Sequence, residues 1–524
     1  MKFPKKIALV PILLLLLTSC SKAPDTTAQQ TTVPQASESV TQENITQIAL
    51  SDNTVTVDGK EISADTKSAV YAANDIIYYE SGKDFTYGEG TEDDAHSSEE
   101  AAAHTVIHIT AAGTYSLSGS LSQGQIAVDL GENAEADPKA VVTLVLNGAD
   151  ITCTVAPAII FYNVYECADK STENATKEVD TSAAGANVII KDGTKNTVNG
   201  SYVARIYEPD SVVLNDDNTE VADAKKLHKY DGAFYSKMSL NINGEKENTG
   251  TLNINAENEG LDSELHLTIN GGNINIKSGN DGINTNEDGV SVTAINGGTL
   301  NINVTGTTGE GDGIDSNGWL VINGGTVVAS ACADSADAGI DSDMGIHING
   351  GTVTATGHML DRIEDGGQTY AVFSFAQKQN GNDKITLKNQ NNEAVMTYSA
   401  ANSYSVLIYS SPNLTEGTYT LFVNDKQLST QGGNMPGNFA KPDMKPDQMP
   451  PEGESPEGFK PPKNEDFQDR PAPPEGEMPP EGAEPPEKPE RPDGAHPDFN
   501  FDSQQEPGTT FSIKQGGNMF SAIA

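Results

Sequence analysis

The chain has 524 residues, with 75 acidic against 32 basic side chains, a formal charge of −43, and only 6% aromatic and 36% apolar residues. A protein that neutralises phosphates needs the opposite sign, so this balance argues against direct electrostatic binding of nucleic acid. The length suits about three ordinary domains unless the chain repeats itself, so repeats are the first thing to seek.

Lys2, Lys5 and Lys6 precede the apolar run from Ile7 to Leu17, and Leu17-Thr18-Ser19-Cys20 follows. A membrane-spanning helix needs about 20 apolar residues, so residues 1–19 read as a secretory signal peptide. Cys20, directly after small residues, resembles the lipobox of bacterial lipoproteins. That resemblance implies lipidation of Cys20, a membrane partner through the N-terminal lipid, and an extracytoplasmic, cell-surface location; an ordinary secretory signal is the alternative. Residues 20–43, rich in Ser, Thr, Gln and Ala, read as a flexible tether. Residues 44–104 form an expected N-terminal cap, with a short strand at 45–50 and helical character over 91–104.

Residues 105–368 read as one β-helix domain, and between residues 250 and 357 the chain repeats itself. Asn-Gly-Gly recurs at 270–272, 296–298, 323–325 and 349–351, in steps of 26, 27 and 26 residues. Ahead of each copy stands a second signature: Glu259-Gly260-Leu261-Asp262-Ser263, Asp281-Gly282-Ile283-Asn284-Thr285, Asp312-Gly313-Ile314-Asp315-Ser316 and Ala338-Gly339-Ile340-Asp341-Ser342, with Asp231-Gly232-Ala233 as a weaker opening copy. Between these turns apolar residues alternate, as in Leu300-Asn301-Ile302-Asn303-Val304, which predicts short strands with one buried face. A unit this short cannot bury its apolar face alone. Stacked rungs about 4.8 Å apart enclose a continuous interior and satisfy one another's backbone. The predicted fold is therefore all-β, a right-handed parallel β-helix of three sheets and about ten coils. Residues 164–182 and 205–230 read as insertions. Cys153, Cys167 and Cys332 fit no zinc motif, and an oxidising compartment permits one disulfide, placed by separation at Cys153 and Cys167.

Residues 369–430 alternate in a different style and predict a C-terminal β cap of hairpins that covers an exposed sheet edge. Nineteen of the 27 prolines fall in 431–508, interleaved with Glu, Asp, Gly and Lys, which predicts a disordered segment. Residues 509–524 turn apolar again and are expected to return as a strand.

The chemistry is concentrated in the second signature. With Ile314 pointing inward, Asp315 and Asn317 point outward. Stacking then aligns Asp262, Asn284, Asp315 and Asp341 in one column, Glu264, Asn286, Asn317 and Asp343 in the next, and Glu259, Asp281 and Asp312 ahead of the glycines. Like charges opposite one another across a ladder are destabilising. Between Lys246 and Arg362 the one Lys or Arg is Lys277, against thirteen acidic residues from Glu259 to Asp343. Calcium suits this oxygen-rich column, since bonds of about 2.4 Å let one ion bridge carboxylates on neighbouring rungs, whereas zinc lacks His or Cys ligands. A column of turn-forming Asp and Asn is the alternative, and for Asn-Gly-Gly, a hydrogen-bonded stack over a glycine turn is the favoured reading.

The repeated (Asp/Asn)-Gly-Ile-(Asp/Asn)-(Ser/Thr), followed by Ile-Asn-Gly-Gly-Thr and preceded by Gly113-Thr114-Tyr115-Ser116-Leu117-Ser118-Gly119, resembles the bacterial carbohydrate-binding domain proteins of clostridial type. This resemblance over about 105–424 implies a secreted right-handed parallel β-helix with Ca2+ as cofactor and plant cell-wall polysaccharide, cellulose and acidic pectin especially, as partner. Matched residue by residue, it marks Asp281, Asp312, Asp315, Asp341 and Asp343, with Asn284 and Asn317, as metal positions. Ala338, Glu259 and Leu261 depart from the pattern at its two ends. Trp319, the one Trp, falls at an outward position where its flat face suits a sugar ring. The reading is a non-catalytic, calcium-dependent binder. A lyase of this fold would need a basic residue, for which Lys277 is the candidate in the repeat, and a structural or adhesive surface protein is a further alternative.

Overall fold

The computed structural model describes residues 45–306, 311–434 and 507–523. The signal 1–19, Cys20, the tether 20–43 and most of the proline-rich stretch 431–508 lie outside the described residues.

The fold is all-β. Among the described residues, helix is confined to Ser98–Ala102 and 3-10 turns at Glu132–Ala136 and Pro209–Ser211, and no helix is long and apolar enough to cross a membrane. The alternation read from the sequence decides which side chains enter the core. In Thr299–Val304, Leu300, Ile302 and Val304 are buried while Asn301 is exposed. That strand lies parallel between Asn273–Ser278 and Thr326–Ser330, with Leu300 beside Ile274 and Val327. Residues that repeat in sequence thus stand side by side in space.

Three parallel ladders arise in this way. The first comprises Thr105–Ile109, Gly124–Val128, Ile159–Phe161, Gly232–Ser236, Glu259–Ser263 and Ile283–Thr285, extended by a bridge from Ile283 to Ile314. The second and third share two long strands, Gly113–Leu121 and Val142–Thr152. From these the second continues through Ala186–Ile190, Leu240–Gly244, Leu267–Ile269, Val292–Ile295, Trp319–Ile322 and Gly345–Ile348. The third continues through Lys195–Gly200, Thr251–Ala256, Asn273–Ser278, Thr299–Val304, Thr326–Ser330 and Thr352–Gly357.

At Gly119 and Gly148 the chain bends, with φ of 91° and 81°, and goes on pairing past an irregularity in register. The two shared strands plus six make the second and third ladders eight deep, and the first has six strands and the Ile314 bridge, fewer than the about ten coils expected from the period. The difference lies in insertions that leave the stack, including the hairpin of Val203–Tyr207 with Lys226–Tyr230.

The Asn-Gly-Gly turns form the stack expected of them. Asn270 donates to Asn243 at 2.9 Å, Asn296 to Asn270 at 2.9 Å, Asn323 to Asn296 at 2.8 Å and Asn349 to Asn323 at 2.9 Å. The last glycine of each turn has φ between 79° and 90°, a left-handed backbone that excludes most side chains.

Both ends of the stack are paired, which protects edge strands from foreign pairing. Ile45–Leu50 runs parallel to Gly113–Leu121, and Val70–Ala73 runs antiparallel to Thr105–Ile109. At the other end Tyr404–Ser410 lies antiparallel to Thr352–Gly357. Gly517–Ile523 then returns against Tyr370–Gln379 over a separate core in which Phe373 stacks on Phe520 at 5.6 Å.

The expected Cys153–Cys167 disulfide is absent, and Cys153, Cys167 and Cys332 are free thiols. Cys153 is enclosed in the apolar core, where burial pushes its thiol up to about 12. Cys167 sits in the insertion beside the Asp180 carbonyl at 3.8 Å. Separation in sequence carried no information about this division between core and loop.

Candidate functional site

Leu261, Ile283, Ile314 and Ile340 are fully buried, and they fix the inward column of the first ladder. Beside it the glycines approach closely: a Cβ on Gly260, Gly282 or Gly313 would come within 2.5 Å of the carbonyl of the next rung's glycine. The flanking acids are therefore held in register. Asp262 pairs with Asn284, the Asp315 N–H donates to the Ile283 carbonyl at 2.8 Å, and the Asp341 N–H donates to that of Ile314 at 2.7 Å.

Among the described residues two carboxylate clusters result. Asp312, Asp315 and Asp341 are half-buried, and each offers an oxygen within 4.8 Å of the others. Burial, then the nearby Asp341 and Asp281 charges, push Asp312 up to about 10. Burial, then Asp281 and Asp343, push Asp315 up to about 7. Both shifts express the cost of holding ionised carboxylates together out of water.

The second cluster joins Asp262 to Asp231 and Glu259, again with oxygens within 4.8 Å of one another. Glu259 and Asp262 are enclosed, and both are pushed well above the ordinary carboxylate range, first by burial and then by the neighbouring carboxylates. Lys229 Nζ meets Asp231 at 2.6 Å, which leaves one ammonium against three carboxylates. Asn286 donates to Asp262 Oδ1 at 2.8 Å and Asn284 to Glu259 Oε1 at 3.2 Å. Glu259 Oε2, Asp262 Oδ2 and Asn284 Oδ1 are buried with no hydrogen-bond partner. Buried polar atoms are nearly always satisfied, so an all-oxygen pocket with three open acceptors fits a hard cation.

The remaining expected ligands take other places. Asp281 Oδ1 accepts the Asp312 N–H at 2.6 Å. Asn317 turns its amide to the Asn286 carbonyl at 3.1 Å and to Asp288 at 3.0 Å, and Asp343 is exposed. Trp319 is half-buried on the second ladder, between Val292 and Gly345. His266, one rung before Val292, is buried, accepts the Val292 N–H at 3.0 Å and is pushed down to about 4 by burial. Lys277 is exposed on the third ladder, a different ladder from the acidic clusters.

Sequence reasoning missed a cleft of 510 Å³ on the outward face of the first ladder. The weak Asp231-Gly232-Ala233 copy stands one residue out of step: Phe234 pairs with Leu261 in the inward column and Tyr235 pairs with Asp262 in the outward one. Continued across earlier rungs, that outward column reads Tyr235, Ile160, Ala127 and His108. Tyr162, Lys237 and Glu264 follow in the neighbouring column through rung-to-rung bonds of 2.8–2.9 Å. Along this ladder the acidic columns therefore give way to Tyr235, Ile160, Ala127 and His108, and the cleft beside them mixes tyrosines with four lysines and the carboxylates Asp75, Asp129, Glu264 and Glu287. The inserted strand Lys226–Tyr230 supplies further lining residues. Tyr230 packs against Tyr162 at 5.6 Å and Tyr235 at 5.0 Å, and the Tyr235 hydroxyl donates to Glu264 at 2.6 Å. The available signal was Lys226-Leu227-His228-Lys229-Tyr230, a basic and aromatic run in an acidic chain.

Residues 103–402 match the family described as carbohydrate-binding domain-containing protein. A carbohydrate-binding domain-containing protein of Acetivibrio thermocellus is 31% identical over 173 residues, which cover 33% of this chain and 45% of that protein, so the chain spans less than half of the relative's length. The solved structure of a polysaccharide lyase-like protein from C. thermocellum, a gadolinium derivative, aligns with 57% of this chain and 92% of its own at 18% identity and a TM-score of 0.31. The family match covers more than half of the 524 residues, and the chain belongs to the family of carbohydrate-binding domain-containing proteins.

Proposed function

We propose that this chain is a non-catalytic, calcium-dependent carbohydrate-binding surface protein, held on a membrane by a lipid at Cys20 and built on a right-handed parallel β-helix. The observation that carries the calcium reading is the convergence of Asp312, Asp315 and Asp341, whose oxygens lie within 4.8 Å of one another, with the Asp312 and Asp315 carboxyls raised by burial and by the charges of neighbouring aspartates. An ion held by these carboxylates relieves their repulsion. Of the common metals, calcium prefers an all-oxygen shell. The buried cluster of Asp231, Glu259 and Asp262 supports a second ion on the same chemistry. The right-handed winding rests on the parallel ladders together with the strong handedness preference of parallel connections.

The ligand class best matched to this arrangement is a plant cell-wall polysaccharide such as polygalacturonate or cellulose. On a chain of −43, a uronate polymer needs a cation shared with the protein, and calcium bound in the half-buried cluster supplies positive charge where the polymer meets the column. Trp319 adds a flat apolar face for a neutral ring. The reading is tested by retention of the chain on immobilised polygalacturonate and cellulose in calcium and in EDTA. Stronger retention on polygalacturonate in calcium supports it, and equal retention in both buffers contradicts it.

A further inference from the structure

The cleft on the first ladder has a different chemistry from the acidic columns, and we infer that it is a calcium-independent site for an acidic sugar, whose carboxylate is taken by Lys237 while the ring lies against the tyrosines. This inference rests on the carbohydrate-binding reading but not on its calcium.

The charges in the cleft lead to the choice of ligand. Four lysines line it: Lys170, Lys226, Lys229 and Lys237. Three already have carboxylate partners, with Lys170 on Glu135 at 2.6 Å, Lys226 on Glu264 at 3.2 Å and Lys229 on Asp231 at 2.6 Å. Lys237 differs. Its Nζ meets the Asn163 side-chain oxygen at 3.5 Å, and among the described residues no carboxylate lies within 4.0 Å of it. Asn163 is itself held by donating to Asp129 at 2.9 Å, so the lysine is guided from below rather than neutralised. Its charge is felt by Glu135 but is not held in an ion pair, and an ammonium free of direct pairing at a cleft is an anchor for an anion from solution.

Size and shape narrow the class. A volume of 510 Å³ falls within the roughly 300–1,000 Å³ of ligand cavities, enough for a short oligosaccharide. Its wall combines packed tyrosines with His108 and the carboxylates Asp75, Asp129, Glu264 and Glu287, a mixture of apolar face and convergent hydrogen-bonding groups that suits the hydroxyls of a sugar ring, while Lys237 offers the place for its carboxylate. The rungs that build this wall are the ones in which Tyr235 and Lys237 replace the column acids, so the recruiting cation here is a side chain.

The test uses the full chain in EDTA, titrated calorimetrically with tri-galacturonate and, as the neutral control, cellotriose. The expected result is binding of tri-galacturonate that persists in EDTA, exceeds that of cellotriose by about tenfold or more, and weakens by about tenfold in Lys237→Ala, whose exposed side chain can be lost without disturbing the core. Lys277→Ala, on another ladder, should leave the affinity unchanged. Absence of EDTA-resistant binding, or equal affinity in Lys237→Ala and wild type, overturns the assignment. Because every arm lacks calcium, these outcomes are independent of whether calcium binds the acidic column.

Discussion

The Asp281 carboxylate accepts the backbone N–H of Asp312 at 2.6 Å, and the Asp312 carboxylate in turn accepts that of Ala338 at 2.5 Å. Each acid ahead of the glycine therefore ties its own rung to the next. The side chains that create the charge problem also fix the spacing at which a cation can solve it.

Removing that cation should lower stability. Ligand bound to the folded chain alone contributes about 2.7 kcal/mol at a hundredfold excess over Kd. The melting temperature is expected to rise by several degrees in calcium and to fall back in EDTA. Asp315→Asn should lose much of the rise. Identical melts of wild type in the two buffers would contradict a folded-state calcium site.

Proton binding should mimic the cation. Asp315 stands at about 7 and Asp312 at about 10, against an ordinary 3.8. A carboxyl raised on folding contributes stability that is present below 3.8 and lost as pH rises through its folded value. His266, at about 4, runs the other way: its contribution is present above 6.5 and lost as pH falls through about 4. In EDTA the melting temperature should therefore rise from about pH 8 to about pH 6.5, where Asp315 protonates before His266 does. Saturating calcium should flatten this trend. Thermal melts across the window decide it, and a flat profile in EDTA would refute the raised carboxyl values.

Much of the stacking was legible in the sequence, because a strict period leaves it little freedom. Ile314 inward with Asp315 and Asn317 outward follows from alternation, and the columns follow from the period. The cleft was not legible in the same way. Its first rungs are spaced irregularly, the Asp231 copy is shifted by one residue, and the inserted strand Lys226–Tyr230 reaches it from outside the repeat. Asp231 and Glu259 were obscured by the same shift: each looks like a degenerate copy alone, and their shared cluster with Asp262 exists only in three dimensions.

The asparagine stack should be structural and nothing more. Asn296 holds one amide bond to Asn270 and one from Asn323. Asn296→Ala should cost about 1–2 kcal/mol, less where water replaces the bonds. Denaturant melts should show the loss, and calcium affinity should not change. A loss of calcium affinity would mean that the stack positions the acidic column.

Trp319 permits a site-specific optical test, since the chain has one Trp. Its emission should shift as cellulose oligosaccharides are added, and Trp319→Ala should weaken their binding about tenfold. Unchanged emission at saturating ligand would remove this residue from the binding surface.

The proposed lipid anchor has its own readout. Cys20→Ser should move the protein from the membrane fraction to the soluble fraction. Continued membrane association of that variant would contradict anchoring at Cys20.

Direct titration of the metal-free full chain with calcium, followed by calorimetry, measures the central claim without reference to any glycan. The account predicts saturable binding that is weakened at least tenfold in Asp315→Asn. No saturable heat in wild type, or the same isotherm in Asp315→Asn, would contradict it.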